Sequence, residues 1–447
     1  MRSLAAKFVA SCEELDEVVS AAPLEGGADS MEQGILDAQQ VEAEVAENEQ
    51  ALAEAQEVAT GLEAIANDLD AFAKDGGLDS KGAVMMRRAV NAYTAQLGFK
   101  TPPVASVESF GGATSRVTAT VASMEGIKEI IANVWKWIKD QIQKLRNTMK
   151  DYWLKNYAVA PRLSKRAQAL KARAQKATGS AKESKIEISG VLAAINIGGT
   201  VPSDIPGSYG KVKAEAERIF STTSKDTLTA AEAFAKQVEG LSFTNDETFS
   251  EAIVIFKNDK PMADVKIGTP ITGDKRHGDA EEAFGGDEIM GGVRVFASYK
   301  KYTAGDIKSV VNAIASLKAG MEPVSATPRD VSGTANVNTL SLSAVADVCD
   351  SVIGVADLIA KYAQGYANRD KSKDVILKAG DAFAKQVAGI EELATANNAI
   401  ARDIATAIKA QAEMIDRPMT QFSSQIIRTS AAVLTVCEKS LGQYTAG

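Results

Sequence analysis

The sequence is poor in the residues from which most catalytic and metal centres are built. Its 447 residues include one histidine and three cysteines. His277 has no cysteine near it along the chain, and Cys12, Cys349 and Cys437 lack the spacing of metal ligands. We therefore predict no disulfide framework, no zinc site and no histidine-based triad, and we expect neither a cofactor nor an enzymatic activity.

Long apolar stretches and aromatic residues are also scarce. No stretch approaches the roughly 18 apolar residues of a membrane-spanning helix, and the N-terminal segment turns acidic too early for a signal peptide. Aromatic residues make up 6% of the chain, whereas alanine, glutamate, lysine and leucine are abundant. This composition predicts a mainly α fold of multi-helix bundles with no membrane partner.

The charges are distributed unevenly along the chain. The formal net charge is -8, but residues 1–100 hold 19 acidic and 7 basic side chains, so the remainder is basic on balance. Residues 126–185 hold 15 lysines and arginines against 4 acidic residues. This asymmetry is typical of an acidic arm attached to a body that meets a polyanion, although independent solvated surfaces would give the same pattern.

The acidic part, residues 1–108, is predicted to be helical. Within residues 31–75, apolar residues recur at steps of three, four and seven, which is typical of a coiled-coil-like helix ending at the pair Gly76-Gly77. A second helix is predicted at 83–97, and the Pro-, Ser- and Gly-rich residues 101–115 are predicted to be an exposed linker. The apolar seam positions are Val45, Leu52, Leu62, Ile65, Leu69 and Phe72.

Residues 109–198 are predicted to be a basic amphipathic helical region. Between 127 and 153 one apolar stripe faces away from lysines and arginines, with Trp135, Trp137 and Trp153 at its margins. We expect the tryptophans to pack against neighbouring helices, with base stacking or membrane anchoring as alternatives. The cations are candidates for non-specific contact with the phosphates of double-stranded DNA. They are Lys128, Lys136, Lys139, Arg146, Lys150, Arg162, Lys165, Arg166, Lys171 and Arg173.

Three further parts complete the chain. A Gly- and Pro-rich stretch opens residues 199–242, in which a helix is predicted from about Lys211. Residues 243–302 are predicted to be a small β-rich insert, because 252–256 (AIVIF) and 292–298 (GVRVFAS) are β-branched and aromatic runs. Residues 303–447 are predicted to form a C-terminal helical bundle.

One octapeptide occurs twice in nearly the same form. Residues 233–240 read AFAKQVEG and residues 382–389 read AFAKQVAG, so seven of eight residues agree. A duplicated helical unit explains this, and so does convergence between alanine-rich helices. We expect the two helices to pack in either case.

Two polar segments resemble ligand sites only superficially. The acidic residues that follow His277 lack the ligand spacing of a calcium loop, so we interpret them as a solvated loop without a metal. The glycine pairs at 285–286 and 291–292 are not followed by Lys-Ser or Lys-Thr, so they predict turns between strands and no phosphate cradle.

The order of these features resembles that of internal head proteins of large tailed bacteriophages, in particular the phiKZ-like group. The likeness is clearest over residues 100–175, in the cleavage-type triplet Ser106-Val107-Glu108, the following Ser109-Phe110-Gly111 and the Trp- and Lys-rich helix. Met124-Glu125-Gly126 also matches the start of mature proteins in that group.

The resemblance implies a virion structural protein that is packaged inside the capsid as a precursor. In that group a prohead protease removes an acidic propeptide after a small residue, any residue and glutamate, which places the cut here after Glu108, within Ser106, Val107, Glu108 and Ser109. Residues 55–57 and 123–125 also fit the pattern, but they lie in predicted helices, whereas a protease needs extended, accessible backbone. The implied partners are phage head proteins and the protease, with assembly in the host cytoplasm.

Two other functions fit the same sequence. A prohead scaffold or core protein would act through helix–helix contacts and self-association alone, as the seam in residues 31–75 allows. A host-directed effector ejected with the genome would use the β-rich insert to bind a host protein.

Overall fold

The computed structural model describes residues 28–96, 105–261, 267–325, 331–390 and 393–445. Within them the chain is mainly helical with two small antiparallel sheets, which confirms the predicted fold class. The chain divides into two compact units, Gln40–Tyr152 and a larger one that contains Trp153–Gly447. The predicted boundary between residues 108 and 109 therefore lies inside the smaller unit. No helix in these described ranges is long and apolar enough to span a membrane.

The smaller unit consists of helices that pack around one apolar cluster. Helix α1 is followed by a tight turn at Gly76 and Gly77, both of which have positive φ angles. A side chain at Gly77 would collide with the backbone of Arg116, because its Cβ would lie 2.6 Å from that residue's carbonyl carbon. The elements are α1 Ala28–Lys74, α2 Ser80–Gln96, the 3-10 turn Val107–Phe110 and the first part of α3 Ala113–Lys176.

Helix α1 buries a stripe of mostly small side chains. Residues 55, 59, 62, 66 and 69 follow one another at alternating steps of four and three, and all five are buried. The prediction is correct for Leu62 and Leu69, but Phe72 is 48% exposed and Ile65 is only partly buried. Both lie one residue before a seam position, where the helix has turned them away from the cluster. The side chains of Val45 and Leu52 lie outside the described residues.

The larger unit begins with the second part of α3. Its next long helix starts at Ile205, earlier than the predicted Lys211, because the Asp204 side chain accepts a hydrogen bond from the Gly207 amide (2.9 Å) and proline occupies the first turn. The helices are α4 Leu192–Ile195, α5 Ile205–Glu217, α6 Ser224–Glu239, α7 Asp246–Ala252, α8 Ile307–Ala315, α9 Leu342–Gln364, α10 Tyr366–Ala388, α11 Thr395–Met414 and α12 Arg417–Leu441, with a π-helical turn at Arg218–Thr223.

Two antiparallel sheets interrupt the helices of this unit. The four-stranded sheet has the order β2-β3-β4-β5, and the two-stranded sheet pairs β1 with β6. The predicted strand in GVRVFAS is confirmed as β4, whereas β1, β5 and β6 lie outside the predicted insert. The strands are β1 Lys185–Ser189, β2 Thr269–Pro270, β3 Glu281–Gly285, β4 Val293–Lys300, β5 Lys318–Pro323 and β6 Thr334–Asn338.

The predicted strand in the AIVIF run is wrong. Residues 246–252 form α7, and Ile253–Asn258 continue as a 3-10 helix. Asn245 starts this helical stretch with a capping box. Phe249, Ile253 and Phe256 are buried at helical spacing, while the neighbouring Val254 and Ile255 are about half exposed.

The repeated octapeptide lies on two helices that pack against each other. Phe234 on α6 and Phe383 on α10 occupy the same position in the two copies, and both belong to one apolar cluster. Val238 is buried in that cluster and its counterpart Val387 packs against it. The predicted packing of the two helices is therefore confirmed.

Candidate functional site

The segment around Glu108 is exposed but is folded into a 3-10 turn. The Ser109 amide donates to the Ser106 carbonyl (2.9 Å), and the Gly111 amide donates to the Glu108 carbonyl (3.3 Å). Ser106, Glu108 and Ser109 are exposed, and Val107 is half-buried. Phe110 is 1% exposed and belongs to the apolar cluster of the smaller unit. The expected exposure is therefore confirmed at Ser106, Glu108 and Ser109, whereas the expected extended conformation is wrong for the part of the segment that the structure describes.

Two further triplets that fit the cleavage pattern, residues 55–57 and 123–125, lie within long helices, as predicted. Residues 55–57 are in the middle of α1, where Ala55 is fully buried, and residues 123–125 are in α3. The buried Ser123 hydroxyl donates to the Ala119 carbonyl (2.8 Å). A protease would have to unwind helix at either place, whereas at Glu108 it has to open one short turn.

The candidate phosphate contacts of the smaller unit flank a buried face of α3. Ile127, Ile130 and Val134 are buried in the cluster, while Lys128 is exposed and Lys150 is half-buried. The side chains of Lys136, Lys139 and Arg146 lie outside the described residues. Trp137 packs against the cluster as predicted.

Three candidate phosphate contacts of the larger unit form ion pairs within the protein. Arg166 lies 3.0 Å and Arg173 3.8 Å from Glu438 on α12, and Lys171 lies 2.6 Å from Asp350 on α9. Phosphate would have to compete with these carboxylates. Arg162, one helical turn before Arg166, and Lys165, directly before it, are exposed.

The comparison with known families decides what kind of protein carries this arrangement. The family described as phiKZ-like phage internal head proteins matches residues 28–439, which is most of the chain. The chain belongs to this family. It is therefore a structural protein of a phage head, and its place is inside the virion capsid. Separate searches of curated proteins and of solved structures give no match.

The internal head protein contains a buried ionic network that the sequence did not suggest. The Asp416 carboxylate, which is 0% exposed, lies 3.0 Å from Arg369 Nε and 2.5 Å from Lys373 Nζ. Burial raises the pKa of Asp416, but the charges of Lys373 and Arg369 outweigh it and hold the pKa below its usual value. Arg369 also stacks on the Tyr362 ring, 3.5 Å from its centroid.

Trp153 packs against the Tyr362 ring of this network, which confirms the packing expected of it. Trp153 is buried, with its ring centroid 4.8 Å from that of Tyr362. Arg369 and Lys373 are one turn apart on α10, a spacing that usually indicates an exposed basic stripe. Only the position of Asp416, just before α12, shows that they point inward.

His277 is part of a buried charge cluster on the four-stranded sheet rather than of a solvated loop. Its Nε2 atom lies 3.1 Å from the Glu322 carboxylate, and its ring packs against Phe296. Arg294 bridges Glu322 (2.7 Å) and Asp274 (3.0 Å). Hydrogen bonds from Arg276 hold the pKa of Asp274 well below its usual range.

The same cluster has the shape of a small cation site. One ligand atom each from Asp274, His277 and Glu322 lie within 4.8 Å of one another. The guanidinium groups of Arg276 and Arg294 already contact these carboxylates, so they supply the positive charge that a metal would bring. The residues fit a salt-bridge network better than a metal centre.

Proposed function

We propose that the internal head protein is packaged as a precursor and that the prohead protease cuts it after Glu108. The observation that carries this proposal is the contrast between this triplet and two others of the same type, residues 55–57 and 123–125. Ser106, Glu108 and Ser109 are exposed in a single short turn, whereas the other two triplets are embedded in helices with buried residues. The cut would remove 20 of the 58 acidic residues together with 7 of the 50 basic ones, and so leave a body that is basic on balance.

The basic body would then lie against packaged DNA or the capsid interior, without catalysis. Among the candidate cations whose side chains the structure describes, exposed Lys128 and Lys165 are the best placed to meet phosphate, since Arg166, Lys171 and Arg173 contact carboxylates. Contact of this kind releases counterions and reads no base sequence, so the binding would be non-specific and sensitive to salt.

The N-terminus of the protein in purified virions tests the cleavage. We expect mass spectrometry to find a mature chain that begins at Ser109. The variant Glu108→Gln should leave the precursor uncut, while Glu125→Gln, in the helical triplet, should be processed normally. An intact N-terminus in wild-type virions would remove the propeptide from the proposal.

A prohead scaffold that acts through helix contacts is the second candidate function. The buried seam of α1 favours it, because such a seam is the usual means by which long helices associate. Self-association of the full chain measured by sedimentation separates the two candidates. Association that is independent of salt, without DNA binding by residues 109–447, would favour the scaffold.

A further inference from the structure

The apolar cluster of the smaller unit is built from both sides of the proposed cut. Helices α1 and α2 and the turn between them supply ten buried side chains, including Val58, Leu62 and Val90. The part after Glu108 supplies Phe110 and four residues of α3. Cutting the chain between residues 108 and 109 therefore breaks one peptide bond but leaves the shared cluster in place.

The α3 residues that face this cluster form a regular seam. Thr120, Ser123, Ile127, Ile130 and Val134 are all buried and follow one another at steps of three and four. This α3 seam has the spacing by which one helix packs along another. The residues before the cut, called the acidic segment below, cover this seam. Without them the apolar side chains of Ile127, Ile130 and Val134 would face water.

Polar contacts fix the position of the segment on the α3 seam. The Leu78 amide donates to the buried Thr120 hydroxyl (2.9 Å), and the Ala105 amide donates to the Ser123 hydroxyl (3.2 Å). The seam's two hydroxyl residues are thus satisfied by backbone that lies before the cut. Gly77 lets the α1–α2 turn approach the backbone of α3 at Arg116.

The acidic segment and the part of α3 that it covers carry complementary charges. Residues 40–96 hold 11 acidic and 4 basic side chains, whereas residues 113–152 hold 7 basic and 4 acidic ones. Attraction between them favours the segment over a second copy of the basic helix as the occupant of the seam.

We propose that the acidic segment remains bound to the α3 seam as a separate chain after the cut at Glu108. The inference rests on the proposed cleavage and adds that cutting and release are two distinct steps. Cutting removes only the covalent link, which had kept the segment near the seam at an effective concentration on the order of millimolar. The shared cluster holds the segment in place until a further event removes it, and that removal uncovers the seam.

An engineered cut tests this proposal independently of the natural protease. The recognition sequence of a site-specific protease is inserted between Glu108 and Ser109 of the full chain. After digestion, we expect size-exclusion chromatography and native mass spectrometry to show the two fragments together as a one-to-one complex. Elution of the N-terminal fragment by itself would overturn the proposal, whether or not natural processing occurs at Glu108.

Salt and substitution identify the contact that holds the complex. The fragments should stay together in both about 0.1 M and about 1 M NaCl, because apolar packing is not screened. Leu62→Ala in the cluster should speed dissociation of the cut complex at least about tenfold. Met85→Ala, at a position that is 73% exposed, is the matched control. Equal dissociation rates for the two variants would contradict the assigned interface, and circular dichroism before digestion shows whether each variant folds.

Discussion

The two compact units of this protein are held together by different kinds of core. The smaller unit packs alanines and aliphatic side chains of long helices, and Phe110 is the aromatic residue among its buried cluster members. The larger unit packs groups of aromatic rings, such as Phe243, Phe249 and Phe383, and buries an ion network beside another ring, that of Tyr362. Small side chains bury little area each, so the smaller core is easier to take apart. Such a core suits the proposed removal of the acidic segment, and the larger core suits the body that would remain.

The largest loss of stability is expected at Asp416, and it tests whether the buried ion network stabilises the larger unit. Asp416→Asn leaves the buried cations Arg369 and Lys373 without their carboxylate, which should destabilise the larger unit by about 3–5 kcal/mol. Denaturant unfolding followed by circular dichroism measures the loss. Asp350→Asn, at an exposed ion pair, should cost less than about 1 kcal/mol. Similar losses for the two variants would show that the buried network does not stabilise the unit.

The second prediction tests the helical structure of the AIVIF run. Phe256→Ala should cost about 3–5 kcal/mol because its ring is fully buried against Phe234, whereas Val254→Ala should change stability by no more than about 1 kcal/mol because Val254 is half exposed. In a strand, Val254 and Phe256 would face the same side, and both substitutions would be costly. The same unfolding measurement decides between the two structures.

The third prediction concerns acid. The pKa values of Asp416 and Asp274 are lowered in the folded protein, so their stabilisation is complete above the unfolded value near 4 and is lost as pH falls through the folded values. Burial raises the pKa of Glu413. Glu413 therefore stabilises the folded state while it is protonated, and this stabilisation is lost as pH rises above about 4, which is the opposite of the effect of the two aspartates. We expect stability to decline as pH falls below about 4. Asp416→Asn should flatten the acidic decline, and an unchanged decline would contradict the assignment.

The smallest expected effect sharpens the distinction among the basic residues of α3. Lys165→Gln should weaken the salt dependence of DNA binding by residues 109–447. The slope of the logarithm of the binding constant against the logarithm of the salt concentration should fall in magnitude by about 1. Lys171→Gln should change it less, because Lys171 already contacts Asp350. Fluorescence titration with DNA of unrelated sequences measures both slopes. A larger effect at Lys171 would show that its ion pair opens on binding.

The features that the sequence predicted correctly are those that depend on local periodicity. The end of α1 at Gly76-Gly77, the strand β4 and the helices of the C-terminal part follow from repeats of 3.6 or 2 residues and from breaker residues. The short AIVIF run fits either period, so only the fold of its neighbours decides that it is helical.

The features that it could not predict depend on contacts between distant residues. The pairing of Arg166 with Glu438 joins positions 272 residues apart, and nothing local marks either as a partner. Asp416 became recognisable as a buried acid only through its contacts with α10. The proposed processing segment was chosen from its residue types, but its 3-10 turn ends at Phe110, whose burial is a property of the whole cluster.

The position of Phe110 also determines what happens to a newly formed chain end. After the proposed cut, the mature chain would begin at Ser109, and its second residue would still be held in the apolar cluster as long as the acidic segment stays in place. Exopeptidases need several free residues to work on a terminus, so the end would be protected from trimming. Loss of the segment would expose Phe110 and allow the end to become ragged. A single N-terminal mass would indicate that the acidic segment was still bound when other proteases acted on the protein. A ladder of masses would indicate that the segment had already left.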